Sequence, residues 1–269
     1  MKKKLGAIII SCMMIAGLTA CGGSASGQAS EAVSSAAAAA SKITDDGVVT
    51  KGTLVMATNA EFPPYEYHDN NQIVGIDAEI MAAVADKMGC KLQIEDVQFD
   101  SIIPEITSGK ADIGAAGITV TDDRKQSVDF SDTYAHASQV IIVKSDSTIA
   151  GPDDLSGKTV GVQQGTTGDI YVSDEKDVTV ERYNKGMEAV QALSQGKVDA
   201  VIIDSEPAKV FVKQVSGLKT LDKSYTDEDY AIAIKKGNTK LLQNINAALK
   251  ELKAEGKLDE IVNKYIKSE

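Results

Sequence analysis

Three short segments of this sequence carry side chains suited to holding a small charged molecule, and each follows an apolar run that reads as a buried strand. The first is Ala57-Thr58-Asn59-Ala60-Glu61-Phe62-Pro63-Pro64-Tyr65-Glu66-Tyr67, a loop fixed by its prolines. The second is Ala116-Gly117-Ile118-Thr119-Val120-Thr121-Asp122-Asp123-Arg124, and the third is Asp204, which ends Val201-Ile202-Ile203. Open α/β sheets place their ligands at such strand ends. The Arg124 guanidinium offers a planar two-donor fork matched to a carboxylate, each charge-assisted bond contributing roughly 1.5 to 3 kcal/mol. The alternative is a surface arginine paired with Asp122 or Asp123. A carboxylate such as Asp204 at the end of an apolar strand is costly unless a cation partners it; the alternative is an N-cap for Ser205-Glu206-Pro207. Gly165-Thr166-Thr167-Gly168 opens a helix, whose free N–H groups and dipole favour an anion, although a threonine there can be a simple N-cap. The two histidines, His68 and His136, sit in no cluster with metal-ligand spacing. A catalytic zinc site is therefore not expected, nor any other cofactor.

The elements that must position these groups follow from hydrophobic periodicity. Leu54-Val55-Met56-Ala57 reads as a buried strand, and Ile76, Ile80, Val84 and Met88 form a helical stripe that Gly89 ends. A strand over Leu92 to Val97 follows, then a short helix around Ile102, Ile103 and Ile106 stopping at Gly109, then a buried strand over Ala111 to Ala116. After Lys144 the alternation restarts. Strands are expected at Lys158 to Val162, Val178 to Val180 and Val198 to Ile203, with a helical stripe at Met187, Val190 and Leu193. This alternation predicts a parallel α/β sheet with both faces covered. Ser108-Gly109-Lys110-Ala111-Asp112 is echoed by Gln195-Gly196-Lys197-Val198-Asp199, which supports two lobes of similar build. Two amphipathic helices are expected in the last forty residues, and Phe130 and Phe211 are read as core.

The chain begins with Lys2-Lys3-Lys4 and an apolar stretch from Leu5 to Leu18, too short for a comfortable spanning helix and flanked like a signal peptide. Leu18-Thr19-Ala20-Cys21 resembles the lipobox of lipoproteins, so residues 1-20 are read as a signal peptide and Cys21 as the lipid attachment site. The alternative is a chance cysteine, as Cys12 is. Residues 21-50 are read as a tether; Gly22 to about Lys42 is almost entirely Gly, Ser and Ala, a flexible coil with an end-to-end distance of roughly 25 Å. Such a protein is anchored to the outer face of the cytoplasmic membrane without spanning it. Removing twenty residues of 269 leaves enough chain for one large or two modest domains. The net charge of −11, with no basic stripe beyond the signal, argues against nucleic acid. With Cys21 lipidated, Cys90 is the remaining cysteine, read as a small buried hydrophobe, and no intramolecular disulfide can form.

Ala57 to Tyr67, Gly117 to Arg124, Asp129-Phe130-Ser131, Gly165-Thr166-Thr167 and Asp199-Ala200-Val201 occur in an order that resembles the amino-acid-binding family of extracytoplasmic solute-binding proteins, the receptors of ABC importers. The resemblance covers about residues 51 to 269. It implies a two-lobed type II periplasmic-binding-protein fold, with lobe 1 from residues 51-134 plus 231-269, lobe 2 from 139-225, and hinge strands at 135-138 and 226-230. It also implies that Arg124 holds a ligand α-carboxylate, helped by the Thr119 hydroxyl and the backbone N–H groups of Thr166 and Thr167. Asp204 and the Gly117 carbonyl would accept the α-ammonium, and Phe62 and Phe99 would sandwich the ligand side chain. Asn59, Ala116, Gln163 and Ile203 would line the same pocket. Members that take cationic side chains often carry Asp where this chain has Asn59, an uncharged amide. Asn59 and Gln163 suit a polar side chain such as that of glutamine or cystine, while Glu61 nearby favours arginine. The resemblance implies a monomer that works with an ABC permease and its ATPase and performs no catalysis. Two alternatives stay open: an enzyme on the same scaffold, such as a cyclohexadienyl dehydratase, and a ligand-sensing ectodomain, which in a chain ending at Glu269 would signal through a separate partner.

Overall fold

Leu54 and Met56 point to one side of their strand and Val55 and Ala57 to the other, and all four are buried, so this strand is central and covered on both faces. The computed structural model describes residues 47–267, so the expected signal peptide, Cys21 and nearly all of the tether lie outside the described residues. The end of the expected tether does not hang free of the body: the Val49 N–H donates to Asp112, and Asn238 Nδ2 donates to the Gly47 carbonyl at 2.7 Å.

In chain order the elements are β1 (Thr53–Thr58), β2 (Glu61–Phe62), β3 (Glu66–Asp69), β4 (Gln72–Val74), α1 (Ile76–Met88), β5 (Lys91–Asp96), α2 (Ile102–Ser108), β6 (Ile113–Gly114), α3 (Asp122–Ser127) and β7 (Val128–Phe130). Next come β8 (Ala135–Lys144), β9 (Thr159–Gln163), α4 (Thr167–Ser173), β10 (Thr179–Tyr183), α5 (Gly186–Ser194), β11 (Ala200–Asp204) and α6 (Ser205–Gln214). The chain closes with β12 (Leu218–Thr220), β13 (Thr226–Tyr230), β14 (Ala233–Lys235), α7 (Thr239–Ala254) and α8 (Lys257–Tyr265).

Two sheets result. The first has the order β5-β1-β6-β14-β7; the second has β10-β9-β11-β8-β12, with β13 also paired to β8. The wholly parallel sheet expected from the alternation is corrected here. Pairs β1·β5, β1·β6, β9·β10 and β9·β11 are parallel, but β14 runs antiparallel to β6 and β7, and β8 antiparallel to β11, β12 and β13. The antiparallel strands are those that arrive from, or leave for, the other sheet, so no crossover helix sets their direction. The strand expected over Ala111 to Ala116 is laddered at Ile113–Gly114, with the Asp112 and Ala115 N–H groups also donating to Val55 and Ala57. The loop after β1 is more ordered than expected. It supplies β2 and β3, which form a small antiparallel sheet with β4 around Asn70-Asn71, both at positive φ, the conformation of a two-residue primed hairpin turn.

The echoed pair of segments performs one structural task twice. Asp112 donates its N–H to the Val55 carbonyl at 2.9 Å and accepts the Val55 N–H on Oδ2 at 2.8 Å. Asp199 does the same with Thr159, at 2.7 and 2.9 Å. Each aspartate thereby fixes the register of one parallel pair, β6 on β1 and β11 on β9. Alternation along β8 divides its side chains between two cores, Val140 and Ile142 facing Ile203 and Phe211, Ile141 and Val143 facing Val160 and Val172. Phe211 is buried, Phe130 packs half-buried against the core of Val55 and Ile102, and Cys90 is buried.

Candidate ligand-binding site

The ends of β1, β9 and β11 converge, together with the β6–α3 connection, on one narrow cavity. Its lining consists of Asn59, Phe62, Phe99, Ala116, Gly117, Thr119, Arg124, Gln163, Thr166, Thr167 and Asp204. These are the same eleven residues that the sequence reading grouped as a ligand site. Ile203 is not among them: its side chain packs in the core with Phe211 and lies where a Cβ on Gly186 would fall, 2.6 Å from its Cδ1. Strand alternation explains the correction, since Ile203 and Asp204 point to opposite faces of β11.

Arg124 enters on the first turn of α3, whose N-cap Thr121 accepts the Arg124 N–H at 3.2 Å. Its side chain is not the surface arginine of the alternative reading. It is 8 % exposed, its guanidinium carbon lies 5.5 Å from the Phe99 ring centroid, and it donates to the carbonyls of Thr119 at 2.8 Å and Gly165 at 3.1 Å. Asp122 is instead paired with Lys125, and Asp123 accepts from Gln126. A guanidinium has five N–H groups, more than two carbonyls use. Burial pulls the Arg124 pKa down, and the charges of Glu228 and Asp204 oppose that pull.

Asp204 stands at the N-cap position of α6, but its side chain makes no capping bond. It turns to Tyr230, whose hydroxyl donates to Oδ1. Burial, reinforced by Glu228, pushes the Asp204 carboxyl up to about 7. Gly117 adopts φ +53°, and a Cβ there would lie 3.0 Å from the Phe62 ring and 3.2 Å from the Tyr230 ring, so only glycine lets the backbone come this close to both.

Two expected donors are otherwise engaged. The Thr119 hydroxyl donates to Glu228 Oε2 at 2.8 Å. Thr166 is the N-cap of α4: its Oγ1 accepts the Asp169 N–H, while its own N–H and O–H both go to the Gln163 carbonyl. The Thr167 hydroxyl accepts from Gln139 Nε2 at 3.3 Å.

Four side-chain bonds join the two sheets' loops across the cavity and its rim. Gln163 donates to Asn59 Oδ1 at 2.9 Å, Gln164 to Asp100 Oδ2 at 2.6 Å, Arg124 to the Gly165 carbonyl, and Lys185 to Glu61. The last pairing neutralises the acid that was expected to favour arginine. Among the described residues no group of His, Cys, Asp and Glu could hold a metal ion, and no helix is long and apolar enough to cross a membrane.

Residues 54–268 match the sequence model of the bacterial extracellular solute-binding proteins, family 3. The chain belongs to this family. The arginine-binding extracellular protein ArtP of Bacillus subtilis (strain 168) is 34 % identical over 275 residues, covering the whole of both chains. Among solved structures, the P235GK mutant of ArgBP from T. maritima superposes with a TM-score of 0.77 at 41 % identity, over 80 % of this chain and 95 % of that one. An ancestral arginine-binding protein bound to glutamine gives 0.78 at 42 % identity, over 81 % and 99 %. The fold of this family-3 protein is accordingly the two-lobed type II architecture, and its place is extracytoplasmic.

The sequence reading of this family-3 protein missed Glu228, Gln139 and Tyr230, which bond to lining residues, and Lys185, which pairs with Glu61 at the rim. Glu228 sits in Thr226-Asp227-Glu228-Asp229-Tyr230, an acidic run that reads as solvated, yet Glu228 and Tyr230 are buried while Asp227 and Asp229 are exposed. The parity shared with Tyr230 was the available signal.

Proposed function

We propose that this family-3 protein captures a free polar amino acid between its two lobes and delivers it to an ABC permease and its ATPase, without chemical change. The observation that carries the reading is that Arg124 and Asp204, of opposite charge and both buried, line one cavity whose walls include Phe62 and Phe99. A zwitterion supplies a partner for each: its carboxylate for the Arg124 fork, its ammonium for the carboxylate of Asp204. The amides of Asn59 and Gln163 suit a side chain that hydrogen-bonds without carrying an acid, and glutamine and arginine are the two to test first, then cystine. Ligand contacts from both lobes favour the closed state, with residues 135-138 and 226-230 as the hinge. The protein acts as a monomer, held at the outer face of the cytoplasmic membrane by a lipid on Cys21 after removal of residues 1-20.

Isothermal titration of the protein, stripped of carried ligand by unfolding and refolding, tests this against the twenty amino acids and cystine. One ligand at micromolar Kd or tighter, about −8 kcal/mol or more favourable, is expected; silence toward all of them refutes the reading. The lipid is tested by Cys21→Ser, which is expected to release the protein from the membrane. The raised Asp204 carboxyl is the one group in the cavity that also suits a general acid. Recovery of the bound amino acid unchanged after prolonged incubation separates a receptor from a dehydratase.

A further inference from the structure

Glu66 opens β3, and Asp77 lies in the first turn of α1; both are fully buried. Gly75, at φ +129°, brings the start of α1 against Tyr65, where a Cβ would lie 2.2 Å from the Tyr65 carbonyl oxygen. The Ile76 and Asp77 N–H groups then donate to the carbonyls of Pro64 and Tyr65 at 3.1 and 2.9 Å, and the Asp77 side chain lies beside that of Glu66. Asp77 Oδ2 accepts the Gly117 N–H at 2.8 Å and the Tyr134 hydroxyl at 2.7 Å. Three oxygens meet no donor among the described residues: Asp77 Oδ1 and both oxygens of Glu66. Two carboxylates placed so would be acceptors facing acceptors, at full desolvation cost. A single proton on Glu66 turns the contact into an O–H donated to Asp77, which pairs two of the three orphaned oxygens and leaves one Glu66 oxygen as an un-ionised carbonyl.

We propose that Glu66 and Asp77 hold one proton between them and serve as positioning residues for the amine-facing end of the cavity, through the Gly117 amide and the Tyr134 hydroxyl. The proposal rests on the amino-acid-binding reading above. Gly117 lines the cavity, and Tyr134 immediately precedes β8, the strand that crosses to the second sheet. The groups facing the pair are Asp204 at the end of β11 and the phenols of Tyr65 and Tyr134, with Glu206 on α6 and Tyr230 lying against Tyr65. Asp204 opposes a second negative charge here, whereas the Tyr134 hydroxyl, donating to Asp77, supports the first. Burial and then the Asp77 charge push Glu66 well above the usual carboxylate range, while the Gly117 and Tyr134 donors hold Asp77 lower than burial alone would. The proton therefore resides on Glu66. Stability contributed by a raised pKa is fully present below the unfolded value and is lost as pH rises through the folded one.

The test follows melting temperature without ligand, and Kd for glutamine and arginine, from neutral to alkaline pH in the whole protein and its Glu66→Gln and Glu66→Leu variants. The wild type is expected to lose both stability and affinity as pH rises, and Glu66→Gln, a neutral donor that cannot ionise, to flatten the loss. The ligand ammonium titrates alike against every variant, so the difference between profiles belongs to residue 66. Glu66→Leu is expected to weaken binding at neutral pH by about fivefold or more, and Glu66→Gln to restore most of it. Superimposable wild-type and Glu66→Gln profiles overturn the shared proton; undiminished affinity in Glu66→Leu overturns the positioning role. Should the Glu66 variants not fold, the infrared spectrum in an Asp204→Asn background decides: the carbonyl band of an un-ionised carboxyl at neutral pH is expected, and its absence overturns the proposal. If the wild type binds no amino acid, the receptor reading falls, and the ligand-free profile alone decides the proton.

Discussion

Gln163, at the tip of β9, donates its amide proton to Asn59, at the tip of β1, so the central strands of the two sheets touch inside the cavity through one hydrogen bond of 2.9 Å. Asn59 is held from behind by its own donation to the Val97 carbonyl at 2.9 Å. Gln163→Ala leaves Asn59 Oδ1 buried without a donor. The expected result is a Kd raised by about five- to tenfold, the equivalent of about 1 to 1.5 kcal/mol, with little change in melting temperature without ligand. Titration calorimetry and thermal melts of both proteins check it.

Arg124 has a heavier role, because no other cation lines the cavity among the described residues. Arg124→Ala is expected to weaken the best ligand by at least about a hundredfold, as the loss of two charge-assisted bonds dictates. Arg124→Lys keeps a charge but not the fork, and should recover only part of that loss. Equal affinity in Arg124→Ala and wild type would remove Arg124 from the site.

Affinity should fall on acidification from neutrality. With its carboxyl raised to about 7, Asp204 holds a proton in the ligand-free protein below that pH, and an incoming ammonium must displace it. The Asp204 contribution to Kd is expected to vanish above about pH 8 and to raise Kd by up to about tenfold per unit below pH 7. The sign for stability is opposite. A raised folded pKa stabilises fully below the unfolded carboxylate value and loses that contribution as pH rises through about 7. Titrations in buffers of different ionisation enthalpy should register proton release on binding below pH 7 and none in Asp204→Asn.

The two register-setting aspartates differ in exposure and so should differ in cost. Asp112 is 2 % exposed and receives the N–H groups of Val49 and Val55, whereas Asp199 is exposed and receives that of Thr159. Asp112→Ala is expected to destabilise by about 2 to 3 kcal/mol and Asp199→Ala by about 1 kcal/mol or less, as read by urea unfolding.

What was legible in the sequence was whatever local pattern determines. The stripe from Ile76 to Met88 formed its helix, the glycines at 89 and 109 ended theirs, and the paired Gly-Lys-x-Asp segments performed the same task in both sheets. Strand direction was not legible, because β8, β13 and β14 take theirs from partners far away in the chain. The site's lining could be named from strand ends and resemblance, but its supports could not. Asp77, Glu228 and Gln139 are polar residues whose burial depends on neighbours 28 to 109 positions away, and Glu66 is buried beside Asp77. The hydroxyl of Thr119 goes to one of them for the same reason.

Strands β8 and β13 are laddered to each other along their whole crossing, from Ala135 opposite Tyr230 to Gln139 opposite Thr226. The two bodies are therefore joined by a single ribbon and not by two separate strings. A ribbon resists stretching and in-plane shear, since either ruptures its rows of N–H to C=O bonds, and yields to the bending and twisting that strands accommodate. In the closure proposed above, relative movement would thereby be confined to few rotational coordinates. A molecule that shuts the cleft then suppresses little orientational freedom, and more of its contact free energy goes into how long it stays.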